Sequence, residues 1–226
     1  MTDGFSHYYT SRQPAGSRPA LISHHLPRTP PRAGGPPSQT RAQADGGIAL
    51  SFVVDDGVFS KNRVDPGTDL LIRSVPPLSG RALDLGCGYG AAGISLALLN
   101  PGADMWFCDV NERAVGLCRI NHERLLPGSS AEAREAKILL SDGFSALAGV
   151  NFDAVISNPP IRAGKATVYR LFREARAHLA EGGALYIVIQ KKQGMKSAFA
   201  ELTGLFGACA DIAGKAGYHV LKSVKV

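Results

Sequence analysis

The chain is short of the residues that build metal sites and cross-linked scaffolds. Its four cysteines, Cys87, Cys108, Cys118 and Cys209, stand apart with no C-x-x-C pair. Neither a zinc ribbon nor a disulfide framework is indicated, and reduced, buried thiols are expected. No apolar stretch approaches the roughly 20 residues needed to span a bilayer. The first ten residues also lack the basic-then-apolar pattern of a secretion leader. The expectation is a soluble, cytoplasmic protein without metal or membrane attachment. Acidic residues are scarce toward the end: residues 161–226 hold eleven Lys and Arg against four Asp and Glu, a charge of +7. Residues 1–47 carry +3 and residues 48–160 carry −4. Positive charge gathered in one part of the chain suits a polyanion such as RNA, although a solvated surface without a partner has the same composition.

Apolar residues make up 45% of the 226, enough to enclose the core of one domain. They are unevenly placed. Residues 11–47 contain seven of the fourteen prolines and no apolar periodicity, so residues 1–47 read as a Pro/Arg-rich disordered segment ahead of a domain at 48–226. Its five arginines fit a passive spacer or a strand that brushes RNA. From residue 48, strand and helix signals alternate. Strands are expected over 48–54, 82–85, 104–108, 137–140, 154–157, 184–189 and 218–226. Helices are expected over 67–75, 91–99, 112–126, 165–179 and 195–205. Breakers stand between them: Pro76-Pro77, Asn100-Pro101-Gly102, Pro127-Gly128, and Gly182-Gly183 where the cap of helix 165–179 belongs. Repeated βα units of this length give an α/β fold, a doubly wound, mostly parallel seven-stranded sheet of Rossmann-like type with helices on both faces.

One segment carries the cofactor chemistry. Asp84-Leu85-Gly86-Cys87-Gly88-Tyr89-Gly90-Ala91 leaves a strand and opens a helix, the setting that a nucleotide-binding glycine loop requires. Glycine is needed there because the backbone turns tightly and approaches the ligand where a Cβ would collide; Cys87 reads as a small filler. Asp109 stands nineteen residues past Gly90 at the next strand end, placed to accept hydrogen bonds from ribose hydroxyls, with Val110 after it. The third strand ends in Ser141-Asp142-Gly143-Phe144, offering an acceptor for an adenine amine at Asp142 and a ring for the adenine face at Phe144. The glycines also satisfy a dinucleotide fingerprint. Asp84 tips the balance, because a carboxylate facing the ligand suits a cationic sulfonium and repels a pyrophosphate. S-adenosyl-L-methionine is therefore the expected cofactor.

The fourth strand runs into Asn158-Pro159-Pro160. As a bare tripeptide it is an ordinary turn. Here it falls at the carboxyl end of a strand opposite the glycine loop, where an open α/β sheet keeps its active site. The prolines would fix the backbone and leave the Asn158 side-chain oxygen and the Pro159 carbonyl facing the cleft as the catalytic acceptors. Such a motif resembles methyltransferases that modify planar nitrogens: guanine or adenine exocyclic amines, or glutamine amides. Together with Asp56-Gly57-Val58-Phe59-Ser60-Lys61, Val64-Asp65-x-Gly67-Thr68, the glycine loop and Asp109-Val110-Asn111, it is similar to the ribosomal small-subunit methyltransferase C family, short single-domain type.

The likeness covers residues 48–226, and the His7-Tyr8-Tyr9 opening also resembles short relatives. It implies the class I methyltransferase fold and transfer of a methyl group to the exocyclic N2 of a guanine in 16S ribosomal RNA. The partner would be ribosomal RNA or a partly assembled small subunit, and the protein a monomer. The chain departs from the pattern in having one domain where the best-known members carry two halves, and in having Ile161 where an aromatic usually follows the second proline. Ile161, Arg162 and Lys165 are the substrate-contacting candidates, the last two toward RNA phosphate; Lys191 and Lys192 suit the same role. Phe59 and Ser60 suit either a lid or plain packing. A glutamine-N5 or adenine-N6 methyltransferase, and a binding protein that has lost turnover, are the other readings.

Overall fold

The computed structural model describes residues 19–26 and 47–226, apart from 57, 59, 61, 129, 131, 132 and 134–136. The expectations for Phe59, for the His7-Tyr8-Tyr9 opening and for most of 11–47 lie outside the described residues.

Seven strands form one sheet in the order β5-β4-β3-β6-β7-β9-β8. They are β3 (Arg81–Leu85), β4 (Asp104–Asp109), β5 (Ile138–Leu140), β6 (Phe152–Ser157), β7 (Leu179–Gln190), β8 (Ala210–Lys215) and β9 (Tyr218–Val224). The first five run parallel, while β9 lies antiparallel to both β7 and β8. The central strands are near-continuous apolar runs because both faces are covered. Along β3, Ala82 enters one hydrophobic cluster and Leu83 and Leu85 the other. Helices α1 (Pro66–Ser74), α2 (Ala91–Leu99) and α3 (Glu112–Leu125) bury their apolar faces on one side of the sheet. Helices α4 (Lys165–His178) and α5 (Met195–Phe206) do so on the other. Chain order reverses between β3 and β6, and that switch point is where this architecture opens a crevice at the strands' carboxyl ends.

Three differences from expectation have physical causes. The strand at residues 48–54 forms, but outside the main sheet. As β2 (Ile48–Val54) it pairs antiparallel with β1 (Ala20–Leu26), from Ala20↔Val54 to Leu26↔Ile48. The disordered reading therefore fails for 20–26. Ile22, His24 and Leu26 alternate inward onto the core while Leu21, Ser23 and His25 face out, a period-2 pattern of three residues hidden among prolines. The seventh strand of the main sheet is instead β8, an exposed edge strand whose one large apolar residue, Ile212, gives no periodicity. Finally, α4 ends at His178 with Leu179 as its extended cap, and Gly182-Gly183 lie inside β7.

Candidate active site

The glycine loop is shaped by the strand beside it. The amides of Gly86 and Cys87 both donate to the Cys108 carbonyl, at 2.9 and 3.0 Å. The Gly88 amide donates to Asp109 Oδ2 at 2.8 Å, and Asp109 Oδ1 accepts from the Asn111 amide at 2.9 Å. Asp109 thus holds the loop as well as standing at its rim. Burial raises its pKa, opposed by these amide bonds. Gly86 and Gly88 have φ of 73° and 57°, and an added Cβ at either would meet nothing within 4 Å. The space against them is a cradle that side chains would fill. Gly90 is required for a different reason: its Cβ would come within 2.6 Å of Ile94 and 3.0 Å of the Cys118 sulfur. Cys87 is buried beneath the loop and packs toward Cys118, as a filler should.

Two of the cofactor expectations are corrected. Asp84 is 2% exposed and does not face the cleft. Its Oδ2 accepts from the Gly93 amide in the first turn of α2 at 2.7 Å, so it braces the helix behind the loop. Burial, reinforced by nearby Asp109 and opposed by the Gly93 bond, pushes its pKa up to about 7. Phe144 points into the core, stacked on His178 at 4.6 Å and edge-on to Phe152. Its aromatic character is spent on packing between β6 and α4. Among the described residues, Val110, 37% exposed, and Leu140, 52% exposed and paired in register with Asp109, leave apolar surface uncovered at this end of the sheet. Leu140 had no separate signal, because it reads as one more strand residue. Asp142 stays at the surface in an ion pair with Arg170 at 2.6 Å. Gly143 sits so close to Glu174 of α4 that a Cβ would overlap it.

Across the switch point, Ser157 Oγ donates to the Leu85 carbonyl at 2.7 Å and pins the end of β6 to the strand that launches the glycine loop. Asn158 follows. Its Nδ2 donates to Thr68 Oγ1 at 3.0 Å and to Asp65 Oδ2 at 3.3 Å. A carboxylate only accepts, so the amide nitrogen must be on that side and Oδ1 on the other. Asp65 is itself fixed: it N-caps α1 through Gly67 and Thr68 at 2.8 and 3.1 Å and accepts from the Tyr218 hydroxyl at 3.3 Å. Burial and the Asp65 charge raise the Tyr218 pKa, keeping that hydroxyl a donor. The Pro159 carbonyl is less free than expected, since the Ile161 amide donates to it at 2.8 Å and leaves it one lone pair. Pro160 caps a 3₁₀ turn at Ile161–Ala163. Asp65, Thr68 and Tyr218 were missed as site residues, although Asp65-x-Gly67-Thr68 has the N-cap signature that could have revealed them.

A cavity of about 570 Å3 opens beside this network, lined by Val58, Ser60, Arg63, Asp65, Pro66 and Tyr218 among others. Ser60 holds a left-handed φ of 63°, unusual for a side-chain-bearing residue, with Oγ donating to the Arg63 carbonyl at 2.5 Å. Behind the loop, the fully buried Asn121 joins three parts of the site. It accepts from the Val53 amide at 2.7 Å and donates to the Val53 and Tyr89 carbonyls at 2.8 and 2.9 Å. Ile161 is half-buried against the core beside α4, whereas Arg162 and Lys165 are exposed. Lys191 and Lys192 are also exposed, on the 3₁₀ turn Lys191–Gln193 after β7. These four cations reach the same end of the sheet, and among the described residues none makes an ion pair. Arg73, Arg81, Arg113, Arg170 and Arg173 elsewhere all do.

Comparison with known proteins gives the family. The family model of the methyltransferase small domain matches residues 49–222. The chain belongs to the methyltransferase small-domain family. It is 43% identical over 180 residues to the uncharacterized protein YbxB of Bacillus subtilis (strain 168), covering 78% of this chain and 87% of that one. It is 37% identical over 139 residues to ribosomal RNA small subunit methyltransferase C of Shewanella loihica, covering 60% of this chain and 38% of the relative. Over 175 residues it is 34% identical to ribosomal RNA large subunit methyltransferase G of Streptomyces avermitilis, covering 75% and 44%. This methyltransferase-family chain thus spans less than half the length of those two named enzymes. In fold it matches the T. Thermophilus 16S rRNA N2 methyltransferase RsmC, solved with AdoMet and guanosine, at a TM-score of 0.64 and 24% identity over 91% of this chain and 51% of that one. The sheet order and two-sided helical cover are those of a class I methyltransferase.

Proposed function

We propose that the protein uses S-adenosyl-L-methionine to methylate the exocyclic N2 amine of a guanine in small-subunit ribosomal RNA. The observation that carries the chemistry is the orientation of Asn158. With Nδ2 tied to Asp65 and Thr68, its Oδ1 is the group left to accept a proton donor from the cleft.

The residues fit the donor. The open cradle at Gly86 and Gly88 gives the ligand backbone-close space, and Asp109 offers lone pairs to ribose hydroxyls. Val110 and Leu140 supply the apolar wall for an adenine, with Asp142 at its edge. When bound, S-adenosylmethionine supplies an electrophilic methyl group. The chain's own task is then to make an aryl amine reactive. The amine's lone pair is delocalised into the base, so it is a weak nucleophile. Asn158 Oδ1 and the remaining lone pair of the Pro159 carbonyl accept its two N–H bonds, and both bonds strengthen as the nitrogen pyramidalises. That differential strengthening lowers the barrier without a strong base, and the surplus proton leaves to water after transfer. The rigid link from Asp65 through Asn158 to the Pro159-Pro160 turn holds the acceptors in place.

The four unpaired cations suit RNA. Lys165 occupies the first turn of α4, where a positive charge opposes the helix dipole; an arriving phosphate would relieve that conflict. An exocyclic amine buried in a duplex is out of reach, so the substrate base must be unpaired or flipped out. Relatives named for either ribosomal subunit leave the RNA class common ground; the guanosine bound by the T. Thermophilus enzyme supports guanine, and the 16S and small-subunit names of that enzyme and the Shewanella loihica relative support the small subunit. The test is incubation of the full chain with labelled S-adenosylmethionine and either total RNA or total protein, then mass spectrometry of the digests. N2-methylguanosine in 16S rRNA supports the reading. Label on adenine N6, on large-subunit RNA or on a glutamine side chain overturns the substrate assignment.

A further inference from the structure

The cavity of about 570 Å3 lies within the roughly 300–1,000 Å3 typical of small-ligand sites. Its position is informative. The ligand cradle is built on the ends of β3 and β4, on one side of the switch point. The cavity is built on the start of α1 and on β9, whose first residue, Tyr218, pairs with Gln190 at the end of β7 on the other side. It shares Asp65 with the network that orients Asn158. Its occupant therefore sits against the network that orients Asn158, away from the cradle.

The wall chemistry narrows the ligand. Among the described lining residues Tyr218 is the one aromatic, and Arg63 brings a positive charge to the same wall. The Tyr218 ring is fixed at two points. It packs on Gly67 so closely that a Cβ there would come within 2.6 Å of it, and its hydroxyl donates to Asp65 Oδ1 at 3.3 Å. A ring held this way keeps its π-face as a platform at little entropic cost, and unpaired bases bind by stacking on such platforms. Valine, proline and serine on the same wall cannot replace that interaction.

We propose that Tyr218 is the platform on which the target purine stacks, and that its hydroxyl makes it a positioning residue for Asn158 through Asp65. This rests on the reading of the chain as an RNA methyltransferase. The two roles separate by substitution. Tyr218→Phe keeps the ring and loses the bond to Asp65; it should lower kcat severalfold with KM for RNA within twofold of wild type. Tyr218→Leu loses the face; it should raise KM by roughly tenfold or more, the scale of one lost base–aromatic stack.

The deciding probe is 2-aminopurine riboside, whose fluorescence is quenched on stacking, titrated into the full chain saturated with S-adenosylhomocysteine. Wild type and Tyr218→Phe should quench it alike, and Tyr218→Leu should bind it at least tenfold more weakly while keeping S-adenosylhomocysteine affinity within twofold. If the leucine variant loses S-adenosylhomocysteine as well, Tyr218→Met, which fills the volume without a π-face, takes its place. Equal quenching by the ring-less variant overturns the proposal, as does absence of quenching by wild type. A wild type that quenches the probe yet methylates no RNA overturns the RNA reading and leaves the stacking platform standing. A wild type that methylates RNA with no loss in either Tyr218 variant overturns the platform alone.

Discussion

Asp109→Ala removes one carboxylate that serves three partners. It accepts from the Gly88 and Asn111 amides, and in the proposed complex it also takes ribose hydroxyls. Each hydrogen bond to a charged acceptor contributes about 1.5–3 kcal/mol, so loss of a single ribose bond weakens binding roughly tenfold to 150-fold. The freed Gly88 amide adds a second effect, since the loop it belongs to loses the anchor that holds the cradle open. Titration calorimetry with S-adenosylhomocysteine should show at least a tenfold weaker Kd. Thermal melting should fall by several degrees, at about 2–4 °C per kcal/mol for a domain of this size. Asp109→Asn keeps one acceptor oxygen and should fall between. Because burial holds the Asp109 pKa above the usual carboxylate value, ligand affinity should decline with acid at a higher pH than an exposed aspartate would give. Unchanged affinity in Asp109→Ala would take this residue out of the site.

The same geometry sets three further expectations. Leu26 is 2% exposed in β1, and Leu26→Ala should destabilise the fold by about 2–5 kcal/mol; a melting temperature unchanged within a degree would show that β1 does not dock on the core. Asp84 has a folded pKa pushed up to about 7 against 3.8 unfolded, so the protonated form is the one the fold favours. Its contribution is fully present below about pH 4 and is lost as pH rises through 7. Chemical denaturation at pH 5 and pH 8 should therefore show wild type losing a few kcal/mol relative to Asp84→Asn, and parallel curves would refute the burial argument. Arg162→Glu and Lys165→Glu should each weaken RNA binding and flatten its dependence on log salt by about 0.7 for every phosphate no longer neutralised, for a single-stranded partner. A salt slope equal to wild type would place neither residue on the RNA.

Much of the frame was legible because its signals are local. The glycine loop, Asp109 and the Asn158-Pro159-Pro160 turn are each read from a few adjacent residues in a βα context, and the structure brings their strand ends to one crevice. What escaped depends on partners distant in the chain. Asp84 reads as a ligand-facing acid until the Gly93 amide is seen against it. Phe144 reads as an adenine ring until His178, 34 positions on, stacks upon it. β1 and β8 escaped for opposite reasons: three inward residues among prolines leave no period, and an exposed edge strand has no buried face to encode. Tyr218 and Asp65 lie 153 positions apart yet share a hydrogen bond. Only the topology, which runs β9 back alongside β7, makes them neighbours.

The carboxamide oriented by Asp65 and Thr68 is proposed to make an RNA base amine reactive, and Asn158→Ala tests that role directly. Turnover on 16S rRNA should be measured beside calorimetric affinity for S-adenosylhomocysteine in the same preparation. Affinity should stay within a few-fold of wild type while kcat falls by roughly 10²–10³, the scale of one preorganised transition-state hydrogen bond. Full activity in Asn158→Ala would contradict that role.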